Sequence, residues 1–275
     1  MLNNVLVCPV CREDLVPAGH ALRCANRHTF DVARQGYVGL LTGGMRTGSA
    51  DTADMVRARV AFLAAGHYAP LARAVAGAVA GCCPPGGTLL DAGAGTGYYL
   101  AAALEAVPEA AGLGLDLSKF ALRQAGRAHP RATAATWDVW QPLPVRSGTV
   151  DVVLNVFAPR NGAEFHRVLK PGGALVVVTP TPRHLSELRG PAGLLTVDEA
   201  KEERLRRSLG DRFRPADAQL VEYRVDLGAG DMENLVLMGP SAHHVDPDEL
   251  RRRIAQLTVP AAVTVSCRVA VYRAL

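Results

Sequence analysis

The chain has 275 residues, of which 49% are hydrophobic and 20% are charged, and its formal net charge is +4. This length is sufficient for one large α/β core and a small additional module. No apolar run approaches the roughly 20 residues that a membrane span needs, and no signal peptide is visible at the N-terminus. We therefore expect a cytoplasmic protein without a membrane partner.

The positive charge is carried almost entirely by arginine, because the chain has only three lysines, Lys119, Lys170 and Lys201. Arginine favours bidentate contacts with phosphate, and the mild net charge permits a nucleic-acid partner without requiring one. A basic cluster in the C-terminal part comprises Arg204, Arg206, Arg207, Arg212 and Arg214. Contact with RNA and an ordinary solvated helix face both remain open for it.

The N-terminal region contains four residues with the spacing of a zinc site, namely Cys8, Cys11, Cys24 and His28. The pattern is C-x2-C, twelve residues, then C-x3-H. Thiols stay reduced in the cytoplasm, so these cysteines are interpreted as metal ligands and not as disulfides. His20 is an alternative fourth ligand, but the C-x3-H spacing favours His28. Four protein ligands complete a tetrahedral shell, which predicts a structural Zn²⁺.

A glycine-rich linker at 43–49 separates this zinc module from the rest of the chain. We expect a zinc-binding module at residues 1–45 and a second domain at residues 46–275. Two helices are predicted at 51–63 and 70–79, where they can cover a ligand or simply pack. The remaining cysteines are interpreted as core or surface thiols: Cys82, Cys83 and Cys267.

The stretch from Leu89 to Tyr99 reads as a buried strand, a glycine turn and a helix. Its G-x-G-x-G spacing differs from the G-x-G-x-x-G of dinucleotide sites, and an aspartate stands two residues before the first glycine. We associate this pattern with S-adenosylmethionine (SAM). The predicted cofactor-binding residues of this stretch are Asp91, Gly93, Gly95, Thr96, Gly97 and Tyr98.

Acids at the ends of the next two predicted strands strengthen the SAM prediction. Asp116, followed by Leu117, ends the second strand and can accept hydrogen bonds from ribose hydroxyls, although it could instead cap the following helix. Asp138 follows the third strand, where an acid lies beside the adenine amino group. Trp137 and Trp140 flank Asp138 and form either apolar walls for the cofactor or part of the core.

Strand and helix alternate five times up to residue 179, which predicts a mostly parallel, doubly wound α/β sheet. The fold class is therefore a Rossmann-like class I SAM-dependent methyltransferase with a small N-terminal zinc-binding domain. Beyond the fifth strand, the pattern predicts strands at 221–225 and 234–238, a helix at 246–257 and a final antiparallel strand at 263–272.

Several segments together resemble one family, the 23S ribosomal RNA (guanine-N1)-methyltransferases. They are CPVC…CANRHTF, DVARQGYVGLL, DTADMVRARVAFLAAGHYAPL, LLDAGAGTGYY, NVFAP and RVLKPGG…TPRHLSEL. The resemblance runs through essentially the whole chain and is specific, because SAM enzymes in general lack the zinc knuckle. It matches Cys8, Cys11, Cys24 and His28 to zinc ligands, and Gly93, Gly95, Asp116 and Asp138 to SAM-contacting positions.

The resemblance implies that the zinc module helps to recognise RNA and that the larger domain holds SAM. The implied target is a guanine in a hairpin of domain II of 23S rRNA, near the macrolide site, and one branch of the family confers resistance to tylosin-type macrolides. The chain departs from the family pattern at Met238–His244, which puts target choice in question. A homodimer is one assembly that the sequence permits.

Methylation at N1 of guanine requires loss of a weakly acidic proton and in-line attack, and positioning supplies much of the acceleration. Our catalytic candidates are Asn155, Phe157 and Pro159, as an edge that holds the base; the sequence assigns no general base. Phe157 or Tyr68 is expected to stack on a splayed-out guanine.

Two other functions compete with this one. The first is a SAM-dependent small-molecule methyltransferase with a structural zinc knuckle, against which the zinc segment argues. The second is an RNA-binding module that retains SAM affinity, against which the intact glycines and acids argue.

Overall fold

The computed structural model describes residues 5–43, 48, 50–190 and 207–275. Two predicted members of the basic cluster, Arg204 and Arg206, and most of the predicted linker lie outside this part of the chain. In the described residues no helix has the length and apolar character needed to cross a membrane.

The described residues form an eight-stranded sheet whose central strands are parallel. Its strands in chain order are β4 (Tyr37–Val38), β5 (Thr88–Ala92), β6 (Ala111–Asp116), β7 (Ala132–Thr136), β8 (Val150–Val156), β9 (Leu169–Pro180), β10 (Phe213–Leu227) and β11 (Ala261–Ala274). The spatial order is β10-β11-β9-β8-β5-β6-β7-β4. Strand β11 lies antiparallel between β9 and β10. The predicted α/β class and the antiparallel final strand are confirmed.

Helices cover the sheet and carry their apolar residues inward. They are α1 (Ala53–Ala64), α2 (Ala69–Ala80), α3 (Tyr98–Ala106), α4 (Lys119–Ala125), α5 (Gly162–Val168), α6 (Ala229–Leu237) and α7 (Pro247–Ile254). Side-chain caps start several of them: Thr52 accepts from the Met55 backbone N–H, and Ser118 from that of Ala121. The nearly continuous apolar run of β8 is buried on both faces, as expected of a central parallel strand.

A small antiparallel sheet precedes the large one and is formed by β1 (Val16–Ala18), β2 (Ala21–Arg23) and β3 (Thr29–Asp31). We call residues 6–42 the ribbon. Its buried side chains, including Leu15 and Phe30, belong to the same apolar cluster as Leu90 and Leu113 of the large sheet. Strand β4 pairs directly with β7. The ribbon is thus packed against one edge and face of the large sheet.

The predicted strand at 234–238 is wrong, because these residues lie mostly in α6 and end just after it. Met232, Leu235 and Val236 are buried at helical spacing, and Gly228 with Asp231 starts the helix. A short apolar run satisfies both periodicities, and packing against α1 decides between them. The described arginines of the basic cluster also do not share one helix, since Arg212 lies in a 3₁₀ turn and Arg214 in β10.

Candidate active site and metal centre

Three cysteines and one histidine of the ribbon converge on one point. The sulfurs of Cys11 and Cys24 are 3.7 Å apart, and His28 Nδ1 lies 3.4 Å from the Cys24 sulfur and 3.6 Å from the Cys8 sulfur. All four ligand atoms lie within 4.8 Å of one another. His20 is not a member of this group, so the structure selects His28.

These separations fit a tetrahedral zinc ion. Ligands at about 2.3 Å (sulfur) and 2.0 Å (nitrogen) from such an ion are about 3.5 to 3.8 Å apart. Hydrogen bonds from the Asn26 side chain and the Glu13 backbone lower the pKa of Cys11 to about 6, which favours the thiolate that zinc binds. With four protein ligands, no position is left for a reacting group, so the zinc is structural.

Hydrogen bonds join the ribbon to the loop that follows β7. The Arg12 guanidinium donates to the carbonyls of Leu143 and Val145 at 2.8 and 3.3 Å. Backbone bonds join Val7 to Pro144 and Arg146 to Val5. Asp138 lies near the start of this loop, so the ribbon packs beside the region where the cofactor is expected.

The glycine turn after β5 has the backbone that its sequence predicts. Gly93, Gly95 and Gly97 have φ values of +90°, +53° and +78°, which side chains rarely adopt. A methyl group at Gly93 would also collide with the Ala158 side chain, and one at Gly97 would lie 2.9 Å from Ala125 Cα. The turn therefore has both a backbone and a packing requirement for glycine.

Asp116, at the end of β6, ties the turn to the start of α4. Its carboxylate accepts the backbone N–H of Gly95 and that of Ser118, both at 2.8 Å. The Ser118 hydroxyl in turn donates to the Asp51 carbonyl at 2.7 Å. The residue that caps α4 is therefore Ser118 and not Asp116, and the predicted contact of Asp116 with ribose remains a prediction.

Asp91 is a buried acid with an unused acceptor. Its side chain is 2% exposed, and one carboxylate oxygen has no hydrogen-bond partner among the described residues. Burial, and then the charge of Asp116, raise the pKa of Asp91 to about 8. A cationic group such as the ammonium of SAM would satisfy this oxygen, so the site fits the predicted cofactor.

The other predicted cofactor-binding residues lie along the same edge of the sheet. Thr96 is buried in the turn, and Tyr98 and Leu117 are half-buried. Asp138 follows β7 and accepts the Trp140 backbone N–H at 3.0 Å. Trp137 is buried, whereas Trp140 is 62% exposed. Of the two tryptophans, only Trp137 fills core.

The three catalytic candidates lie at the carboxyl end of β8, beside the glycine turn: Asn155 is within the strand, and Phe157 and Pro159 follow it. Asn155 is fully buried, and its amide donates to the carbonyls of Ala92 and Pro159 at 3.0 and 2.8 Å, while its Oδ1 has no partner in the described part of the chain. Phe157 has a φ of +53° and is 42% exposed, a strained geometry that is characteristic of functional sites. Pro159 is exposed.

One contributor that the sequence did not single out is Arg59 of α1. Arg59 pairs with Asp51 and donates to the Met238 carbonyl at 2.6 Å. Its guanidinium also lies over the turn, 3.2 Å from where a Cβ of Gly95 would be. The side chain of Arg59 is 23% exposed, whereas that of Arg57, two residues earlier, is 74% exposed. Arg59 therefore links the glycine turn to Met238, where the segment 238–244 begins.

A ring cluster surrounds Phe157. The Tyr68 and Tyr99 rings each lie 6.5 Å from its ring centroid, and the His184 ring is stacked on it at 6.0 Å. Tyr68 was an expected stacking residue, whereas Tyr99 and His184 were not expected here. The motif TPRHLSEL contains His184, but nothing in the spacing of the motif indicates that the His184 ring stacks on Phe157.

Two family models match the chain. The model described as "RlmA, N-terminal" matches residues 6–42, and the model "Methyltransferase domain" matches residues 89–173. The first range contains the four zinc ligands and the second contains the glycine turn and Asn155.

Curated relatives match over nearly the full length. The chain is 48% identical to the 23S rRNA (guanine(748)-N(1))-methyltransferase of Streptomyces fradiae over 280 residues, covering 100% of each. It is 51% identical over 286 residues to a Micromonospora griseorubida protein named "Putative 23S rRNA (guanine-N(1)-)-methyltransferase", covering 98% of this chain and 97% of that protein.

Solved structures share the fold. One from Bacillus halodurans, titled as a "putative methyltransferase", superimposes with a TM-score of 0.50 at 14% identity and covers 70% of this chain and 94% of that one. At this identity the likeness extends to the fold alone.

Proposed function

This chain belongs to the family of 23S rRNA (guanine-N1)-methyltransferases, and we infer that it transfers a methyl group from SAM to N1 of a guanine in 23S rRNA. The full-length match to the Streptomyces fradiae enzyme carries this conclusion, because it spans both the four zinc ligands and the glycine turn. The alternative, a small-molecule methyltransferase with a zinc knuckle, is disfavoured because both of these full-length relatives are named as 23S rRNA methyltransferases.

SAM supplies an electrophilic methyl group on its sulfonium sulfur. We propose that Asp91, the turn at 93–98, Asp116 with Leu117, and Asp138 hold it. Asn155, Phe157 and Pro159 would form the edge that orients the guanine, since they lie at the carboxyl end of the central strand β8, beside the turn. The free Oδ1 of Asn155 supports a polar contact there.

We further propose a division of labour between residues 1–45, which would recognise RNA, and residues 46–275, which would bind SAM. The target would lie in a hairpin of domain II, and its methylation would protect the ribosome against tylosin-type macrolides. Because the proposed substrate is ribosomal RNA, we also propose a cytoplasmic location. We also propose that the chain forms a homodimer. Light scattering tests this by comparing the molar mass in solution with the 29.1 kDa of one chain.

Transfer of tritiated methyl from SAM to unmodified 23S rRNA, with primer-extension mapping, tests the function. N1 methylation blocks base pairing, so reverse transcriptase should stop beside one guanine. A transcript of domain II alone should be labelled at the same position. Label in small metabolites without a stop in the RNA would contradict the proposal.

A further inference from the structure

The ring cluster contains a hydrogen-bond chain whose direction is fixed. The Ser266 backbone N–H donates to His184 Nδ1 at 3.2 Å, so Nδ1 carries a lone pair. The neutral ring then has its proton on Nε2, which lies 3.3 Å from the Tyr68 hydroxyl oxygen. Tyr68 is therefore the acceptor of this bond, and its own proton remains available for another acceptor.

Tyr99 presents a second hydroxyl of the same kind. It is buried and has no hydrogen-bond partner among the described residues. Burial raises the pKa of both Tyr68 and Tyr99 well above the ordinary tyrosine value, so both keep their protons and act as donors. A buried donor without a partner costs roughly 1–3 kcal/mol, which a ligand acceptor would recover.

We propose that Tyr68 and Tyr99 donate hydrogen bonds to O6 of the target guanine, and that His184 is the positioning residue that directs the Tyr68 hydroxyl. This inference rests on the proposed function and deepens it. Phe157 is the exposed member of the cluster, and its ring centroid lies 6.5 Å from the ring centroids of both Tyr68 and Tyr99.

Hydrogen-bond donors at O6 would assist the methylation of N1. The N1–H bond breaks and its proton passes to water, and the resulting negative charge is shared with O6. N1 then bonds to the methyl carbon as the carbon–sulfur bond breaks and its electrons return to sulfur. Donors at O6 stabilise this anion and lower the pKa of N1, as an oxyanion hole does.

The same two donors would select guanine over adenine. Adenine carries an amino group at position 6, which cannot accept from a hydroxyl in the plane of the ring. The Tyr99 hydroxyl would then be buried without a partner and the Tyr68 proton would lack an acceptor, and sites that lose such bonds discriminate strongly.

The test is the pH dependence of single-turnover methylation of 23S rRNA by wild type, Y68F and Y99F. Each variant should be slower by roughly 10²-fold near neutrality, and its rate should reach its plateau at higher pH than that of wild type. Affinity for SAM should be unchanged. The titratable groups facing the Tyr68 hydroxyl are His184 after β9, Cys267 of β11, Tyr223 of β10 and Tyr99 of α3.

Y223F is the matched control, because the Tyr223 hydroxyl donates to the His67 carbonyl at 3.0 Å, next to Tyr68. It should lower the melting temperature without moving the pH profile. For His184, H184Q keeps a donor near the Nε2 position and should retain a profile closer to wild type than H184L does.

Three results would overturn the inference. The first is wild-type rate and pH profile in both Y68F and Y99F. The second is a slower Y68F enzyme with an unshifted profile and a lowered melting temperature, which would indicate a structural role. The third is identical behaviour of H184Q and H184L. If wild type itself leaves every guanine of 23S rRNA unmethylated, the proposed function fails, and that outcome is separate from these three.

Discussion

The ribbon and the glycine turn are two sites built by opposite means. In the ribbon, four side chains from two turns meet around one ion, with sulfur and nitrogen separations of 3.4 to 3.7 Å. In the turn, the backbone itself forms the cradle, and side chains such as Asp116 serve to hold that backbone. Zinc binding would contribute to the folding of the first site, whereas the second is positioned by the strands of the sheet.

Loss of one zinc ligand should have the largest effect and should leave the turn intact. We expect C24S to lose zinc, because the remaining three ligands no longer complete the tetrahedral shell. Zinc binding in such modules contributes about 10 kcal/mol or more to folding. RNA affinity should fall more than 10²-fold by filter binding, while SAM affinity by calorimetry stays at the wild-type value.

C82S is the matched control for this prediction. The Cys82 sulfur donates to the Ala78 carbonyl at 3.1 Å, outside the metal cluster, so zinc content and RNA affinity should be retained. Normal RNA binding by zinc-free C24S would show that the ribbon does not contribute as we propose.

The reverse experiment alters the turn alone. G93A adds a methyl group that collides with Ala158 at a φ of +90°, and we expect at least about a tenfold loss of SAM affinity, from strain of about 1–3 kcal/mol plus displacement of the turn. Zinc content should not change. G86A has a similar φ of +70° with nothing within 4 Å, so it should lower stability without weakening SAM binding. Equal SAM affinities of the two variants would argue against a packing role for Gly93.

The buried acid of the turn makes stability depend on pH. The folded pKa of Asp91, about 8, lies above the ordinary value of 3.8. Between these values the folded state binds more protons than the unfolded state, so stability is highest at low pH in this window and falls as pH rises through about 8. We expect a loss on the order of a few kcal/mol between pH 5 and 8 in SAM-free protein.

Urea unfolding at these two pH values measures the effect of Asp91. D91N should abolish most of the difference, and saturating SAM should reduce it in wild type because its ammonium favours the carboxylate. D54N removes an exposed carboxylate and should leave the difference in place. A slope that survives in D91N would assign the pH dependence to other groups.

The smallest effect is expected at Ser118, where the turn meets α4. S118A removes the cap of α4 and the 2.7 Å bond to the Asp51 carbonyl, and should cost about 1 kcal/mol of unfolding free energy. T52A removes the cap of α1 and no such additional bond. A larger loss in T52A than in S118A would show that the bond to Asp51 contributes nothing.

Local patterns could be read from the sequence where the residues involved are close along the chain. The ligand set from Cys8 to His28 follows from spacing, since each C-x2-C or C-x3-H turn is only a few residues long. The glycine turn and the acids at the ends of β5 and β6 follow from one strand–turn–helix pattern. The segment at 234–238 was misread, because five apolar-rich residues fit a strand and a helix alike.

The sequence by itself thus determined the zinc ligand set, the glycine turn and the mostly parallel α/β class of the core, because each depends on periodicity or on short spacing. Tertiary structure alone decided that Arg59 spans Gly95 and Met238, and that Tyr68, Tyr99, Phe157 and His184 share one cluster. These residues come from separate elements, and only the order of strands in the sheet brings them together. The physical reason is that contacts distant in sequence depend on how the elements pack, which no local pattern encodes.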